Sequence, residues 1–312
     1  MNISERLKER FCKDLNLPIR IYKEPYFEER LQLFDELYNC IEKYNEFIKL
    51  VERCGGEEKY FALYSKVKDD AINYLNENEH MRFFAQEEDF SKYKVKNVGF
   101  PKKDIYHASN DGKTFISFDM KKGNFTALKH YDARIVKNCQ NYEDFLGFFT
   151  KESHLIYSKY IRQVIFGNVN PKRQVAYEHY LMDLVLNKVL KHFNSDQIVF
   201  FSTDEIIVEI SEKDVLVKKD IVENIVSESV NEGINIRAEF FELRKISGTD
   251  GFIKKILIGE KDYEIKGVNN LKMPFVLRKI KGEEYKDSDF VFVHEDMLVK
   301  ILEMPEIKVN VD

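Results

Sequence analysis

Nowhere in the 312 residues is there an unbroken apolar run of about 18, the length a helix needs to cross a bilayer. The opening stretch MNISERLKERF also lacks the apolar segment of a secretory signal. Cysteine is sparse: Cys12, Cys40, Cys54 and Cys139 lie far apart without CxxC or HxC spacing, which excludes the usual structural zinc arrangements and fits reduced thiols. Neither sign of charge dominates. With 49 Lys and Arg against 54 Asp and Glu, the net charge of −5 excludes a globally basic nucleic-acid coat but leaves room for a local basic groove. Internal repeats, low-complexity tracts and long linkers are missing too. The expectation is a soluble, cytoplasmic protein with no membrane partner, folded as one large domain or two modest ones.

What is present changes texture along the chain. Residues 1–95 carry helical periodicity. In FEERLQLFDELYNCIEKYNEFIKLV, Phe27, Leu31, Phe34, Tyr38, Ile41, Ile48 and Val51 recur mostly at three- and four-residue spacing, and Gly55-Gly56 closes the segment. Around GFPKKDIYHASNDGKTFISFD, two short extended runs flank Asn110-Asp111-Gly112, which predicts a β-hairpin whose second strand ends at Asp119. Helical patterns follow in NFTALKHYDARIVKN, in SKYIRQVIFG and from Gln174 to Phe193. Then come the strand pair of IVFFSTDEIIVEI (198–210), an amphipathic helix over 214–233, and a strand in INIRAEFFELRKI. FIKKILIG, DYEIKGV, MPFVLRKI and DFVFV read as further short strands. The expected class is α+β: an antiparallel sheet backed by helices, with a helical region at 1–95, a central unit at 96–246 and a β-rich region at 247–312.

The run at 198–210 sets a physical problem, because Asp204 and Glu205 interrupt strand-forming β-branched and aromatic residues. A buried, unpaired carboxylate costs several kcal/mol. A solvated turn is one resolution, since turns favour Asp for local hydrogen bonding. The other involves Asp119, which ends the apolar strand FISFD 85 residues earlier. If the intervening helices return the chain so that the two strands are neighbours, their spacing of about 4.8 Å lets the carboxylates share divalent metals about 3.5–4 Å apart. Hard oxygen donors suit magnesium or manganese.

These residues resemble the palm domain of right-handed polymerases, most closely the family A DNA polymerases. VFFSTDEIIVEI is similar to that family's motif C, with Thr203 where the family has His. FISFDMKKGNFTALKHYD resembles motif A, with Asn124 in place of the Glu found five residues after the catalytic Asp. KYIRQVIFGN is the nearest match to the fingers helix, and NPKRQVAYEHYLMDLVLNKVL to the long helix before motif C. The resemblance covers 113–246, and the stretch between the two acidic motifs is too short for full fingers. It implies a nucleotidyltransferase, a minimal DNA or RNA polymerase using Mg²⁺ or Mn²⁺. Asp119 and Asp204 would bridge the metals, the Met120 carbonyl would be a further ligand, and Glu205 would give support from behind.

Lys159, Arg162, Phe125 and Asn124 are then the expected nucleotide-binding residues, with Phe125 under the incoming sugar. Asn170, Lys172, Arg173 and Gln174 are the expected nucleic-acid contacts. The basic runs at 243–246 and 277–281, with Lys254 and Lys255, offer a further backbone-tracking surface. The partners implied are nucleic acid, an NTP or dNTP, and proteins of a replication or transcription complex. Two other readings stay open. One is an inactive palm serving as a nucleic-acid-binding accessory protein. The other is a cyclase-like synthase of a signalling nucleotide, disfavoured by the missing Gly-Gly before Asp204.

Overall fold

The computed structural model describes residues 3–259 and 261–309, so the extreme ends of the expected 1–95 and 247–312 regions lie outside the described residues. Five helices come first: α1 (Glu5–Leu15), α2 (Tyr26–Tyr38), α3 (Cys40–Cys54), α4 (Glu57–Glu77) and α5 (Glu79–Gln86). Local chemistry fixes their ends. The Ser4 hydroxyl caps α1 by accepting from Leu7 N, and Gly55, at φ 84°, closes α3 in the left-handed conformation.

The central unit begins with β1 (Thr114–Met120) and α6 (Gly123–Tyr131). It continues through the short helices α7 (Tyr142–Leu146) and α8 (Ser153–Ile156) to α9 (Lys159–Gly167) and α10 (Pro171–Val189). Then follow β2 (Ile198–Phe201), β3 (Glu205–Ile210), α11 (Asp214–Asn231) and β4 (Ile236–Lys245). The C-terminal part adds β5 (Phe252–Ile258), β6 (Tyr263–Lys266), α12 (Met273–Ile280) and the hairpin β7 (Val291–His294) and β8 (Met297–Lys300). The fold is mixed α+β, with a helical N-terminus and a strand-rich C-terminus.

Six strands form one antiparallel sheet in the order β2-β3-β1-β4-β5-β6. Period-two alternation gives the sheet two faces. Ile116, Phe118, Ile206, Val208, Ile236 and Phe240 join the large core under the helices, α10 and α11 packing on this side. Phe115, Ile207, Phe241, Leu243 and Phe252 form a second, smaller core on the other face, roofed by Ile105. Each such buried side chain contributes roughly 1.5–3 kcal/mol, so the register is strongly specified.

Two buried polar clusters tie the N-terminal helices to later parts of the chain. The Asp14 carboxylate on α1 accepts from Ser158 Oγ at 2.8 Å and contacts His154 Nε2 at 3.1 Å. Ser158 in turn caps α9 by accepting from Ile161 N at 3.1 Å. At the other end Asp289 holds Arg30 of α2 at 3.0 Å and Arg278 of α12 at 3.1 Å.

Two expected elements differ. The hairpin around Asn110-Asp111-Gly112 does not form, because both edges of β1 are already taken by β3 and β4. The turn docks instead on β4, Gly112 N donating to Leu243 O at 2.7 Å and Lys245 N to Asp111 Oδ1 at 2.7 Å. MPFVLRKI is a helix rather than a strand, with Pro274 near its first position, where a missing N–H costs nothing. Three cations of the expected basic surface are neutralised within the fold: Arg278 is buried against Asp289, Lys254 against Glu239 at 2.7 Å, and Arg244 pairs with Glu242 at 2.9 Å.

Candidate active site

Strand register assembles the acidic side of the site. β1 places Asp119 opposite Glu205 of β3 on one flank and opposite Arg237 of β4 on the other. Asp204 sits in the tight turn between β2 and β3. Ser202 organises that turn: its N–H donates to Glu205 O at 2.9 Å, and its hydroxyl donates to Asp204 Oδ1 at 3.0 Å. Met120 N donates to Asp204 O at 2.8 Å, so the turn is pinned against the end of β1. Two acids distant in sequence therefore meet at one corner of the sheet.

Their environments differ. Asp204 is exposed, whereas Asp119 is half-buried with its Oδ2 accepting from Arg237 Nε at 2.9 Å. Burial pushes the Asp119 carboxyl above its usual range; Arg237 opposes this, and the nearby Asp204 charge adds to it. Glu205 is bonded along the sheet, accepting from Ser117 Oγ at 2.8 Å. Burial raises it also, with the Ser117 bond opposing and the Asp119 charge adding to the rise.

A cavity of about 530 Å³ opens over this corner, within the size range of small-molecule sites. Asp119, Met120 and Asp204 form one wall. Lys159, Arg162 and Gln163 of α9 form another, and Lys121, Lys122, Gly123 and Asn124 the entry to α6. Arg237 and Glu178 complete it. Among the described residues, no acidic side chain lies within ion-pair distance of Lys121, Lys159 or Arg162, whereas Lys122 is paired with Glu143. Ser158, bonded to Asp14, caps the start of the helix that carries Lys159 and Arg162. Cations without counter-charges thus face carboxylates across a space the size of a nucleotide.

Glu178, on α10, was not singled out from the sequence. It is 6% exposed and accepts from Asn124 Nδ2 at 2.9 Å. Burial, with the charge of Asp204 added, pushes its carboxyl up to about 7. A Cβ on Gly123 would stand 3.2 Å from Glu178 Oε2, so the glycine gives that carboxyl room. A signal existed: Gln174 and Glu178 share the helical stripe of Leu181 and Val185, polar residues on a buried face. Arg237 was missed because it sits within an ordinary half-buried strand.

Other expected contacts lie elsewhere. Phe125 does not line the cavity; it is buried against Tyr142 and Phe145. Gln174 is fully buried, donating to Phe166 O at 3.1 Å, and Arg173 donates to Phe84 O and Glu87 O at 2.9 and 3.0 Å. Both hold α10 in place rather than facing a ligand. Asn170, at φ 46°, opens α10, and Lys172 is exposed beside it; neither lines the cavity. Thr203 does not line it either.

The donors at the corner are hard carboxylate oxygens, and Asp119 is already neutralised by a cationic side chain. Burial, with the Asp204 charge adding to it, drives Glu178 toward neutrality. Among the described residues no three His, Cys, Asp or Glu side chains form a ready-made cage. Magnesium commonly binds through one or two carboxylates plus substrate phosphates, so this donor set fits it. No helix of the described residues is long and apolar enough to cross a membrane. No protein-family model, curated protein or solved structure matches the chain.

Proposed function

We propose that the chain is a nucleotidyltransferase that joins nucleotides at the Asp119–Asp204 corner. One observation carries the reading: two acids 85 residues apart in sequence line a single cavity opposite Lys159 and Arg162, which have no acidic partner among the described residues. That is the arrangement a metal-bound triphosphate needs, negative ligands on one side for the cation and positive ones on the other for the phosphates. The strand, helix and strand-turn-strand order also resembles a polymerase palm, with the fingers reduced to α9.

In this reading Asp119 and Asp204 would hold Mg²⁺ or Mn²⁺, which would supply Lewis-acid stabilisation of the reacting phosphoryl oxygens. Lys159 and Arg162 orient the β- and γ-phosphates. An acceptor hydroxyl oxygen forms a bond to the α-phosphorus while the α–β bridging bond breaks. Pyrophosphate leaves with the electron pair, and the hydroxyl proton passes through a carboxylate of the Asp119–Asp204 pair to water. Glu205 keeps Ser117 and the end of β1 in register. Asn124, bonded to Glu178, fixes the start of α6 beside the phosphates.

The test is to incubate purified protein with labelled NTPs or dNTPs and Mg²⁺ or Mn²⁺, with and without primer-template. Incorporation that disappears in Asp204→Asn supports the reading. A second reading, a nucleic-acid-binding palm without turnover, is favoured by the Arg237–Asp119 ion pair, which occupies a metal-binding carboxylate. No turnover, with nucleic-acid binding unchanged in Asp204→Asn, would establish it.

A further inference from the structure

A second cavity, of about 570 Å³, adjoins the first and shares Lys159 and Arg237 with it. It runs between the N-terminal helices and the β6 edge of the sheet. Asn16 and Tyr38 line it from the helical side; Tyr263 and Lys266 of β6, with Lys261 before it, line the other. Tyr38 and Tyr263 are both half-buried, offering ring surface together with polar groups. Glu264 is the acidic residue of this cavity. Despite the cost of burial, its carboxyl is held down at about 2 by Lys266, at 2.7 Å, with Lys254 and Lys261 adding to the effect. Arg237 is already paired with Asp119 and Glu239, so the excess positive charge of the cavity rests on Lys159, Lys261 and Lys266 against the one carboxylate of Glu264.

We infer that this second cavity binds the acceptor, a nucleotide presenting its 3′-hydroxyl toward the Asp119–Asp204 corner. The inference rests on the nucleotidyltransferase reading and adds where the second substrate lies. Two spaces of nearly equal size, each suited to one nucleotide, meet at two shared cations. A phosphodiester formed at their junction would be contacted by Lys159 and Arg237 from both sides. Tyrosine rings stack on any base, and the asparagine amide suits a base edge. The nucleotide is either free or the last residue of a strand, and both present the same group to the site.

The test measures two binding events separately. The first cavity is titrated with the non-hydrolysable α,β-methylene analogue of ATP in the presence of Mg²⁺. With that analogue saturating, AMP and a dye-labelled octanucleotide ending in a free 3′-hydroxyl are then titrated in parallel. The double variant Tyr263→Ala, Lys266→Ala should weaken the second ligand at least tenfold and leave the analogue within twofold. Tighter binding of the octanucleotide than of AMP identifies a strand terminus as the acceptor, and the reverse a free nucleotide. No second-ligand binding in the wild type, unchanged second-ligand binding in the variant, or equal loss of both ligands would each overturn the inference. Failure of the analogue itself to bind the wild type would instead overturn the nucleotidyltransferase reading.

Discussion

The Asn124 side-chain amide donates a 2.9 Å hydrogen bond to Oε1 of Glu178, joining the first turn of α6 to the buried stripe of α10. The pair sits beside Asp204, so the fold keeps a third carboxyl close to the two acids at the sheet corner. Its protonation follows from that position and gives the first prediction.

Glu178 is pushed up to about 7 by burial and by Asp204. The unfolded chain releases this proton near the ordinary value of 4.5. Between those values the native state binds more protons than the unfolded state, so stability falls as pH rises through the window. The loss is at most about 3 kcal/mol. Glu178→Gln should therefore be more stable than wild type at pH 8, by about 1–3 kcal/mol, and equal to it at pH 4. Urea unfolding at the two pH values checks this, and a gap independent of pH would count against it. Added Mg²⁺ should narrow the gap at pH 8 by stabilising the ionised carboxyl.

In the nucleotidyltransferase reading, Arg237 competes with the metal ion for Asp119. The ion pair is about a third exposed on both sides, so its worth is modest, about 0.5–1 kcal/mol. Arg237→Gln should accordingly tighten Mn²⁺ binding by about two- to fivefold, read from the free-ion electron paramagnetic resonance signal. Asp119→Asn should weaken it in the same assay. If removing Arg237 loosens Mn²⁺, the competition does not exist.

Asp204 and Glu205 are adjacent yet should fail in different ways. Asp204 is exposed and Asn keeps its turn-forming capacity, so Asp204→Asn should shift Tm by no more than about 2 °C. In the nucleotidyltransferase reading its turnover should fall at least about a thousandfold, since there Asp204 is a metal ligand that stabilises the transition state by several kcal/mol. Glu205→Ala strips the buried Ser117 hydroxyl of its acceptor and should cost about 1–2 kcal/mol in stability. Thermal melts beside turnover assays separate the two, and equal melting losses would contradict the division.

Much of this was legible in the sequence where two signals agreed. The acidic turn was read from carboxylates breaking an apolar strand, and Asp119 from a carboxylate ending one; each is a local conflict that a site resolves. Lys159 and Arg162 fall three residues apart on a helix, which placed them on one face. Glu178 was hidden because a single Glu within a long amphipathic helix looks like a solvated residue until the packing is known. Phe125 and Gln174 failed for the opposite reason: near a motif, side chains filling the core resemble ligand contacts. MPFVLRKI misled because eight apolar-rich residues carry no decisive periodicity, and only its proline pointed to a helix start.

Asp289 gives the last prediction, on how the ends of the chain hold together. Its carboxylate is buried and holds Arg30 of α2 at 3.0 Å and Arg278 of α12 at 3.1 Å. It also accepts from Lys286 N at 2.8 Å, closing the turn before β7. Removing it leaves two nearly buried guanidinium groups facing each other, with the exposed Glu283 near Arg278 and backbone carbonyls at Arg30 in partial compensation. Asp289→Ala should destabilise the protein by about 3–5 kcal/mol, the cost typical of breaking a buried ionic contact from one side. Asp289→Asn keeps an acceptor for one arginine but not the charge, and should lose about half as much. Both are read by urea unfolding, and the Ala variant should unfold with the wild-type slope, since the same surface is exposed. A loss below about 1 kcal/mol for Asp289→Ala would mean that the apolar packing of α2 against α12, rather than this charge network, joins the two ends.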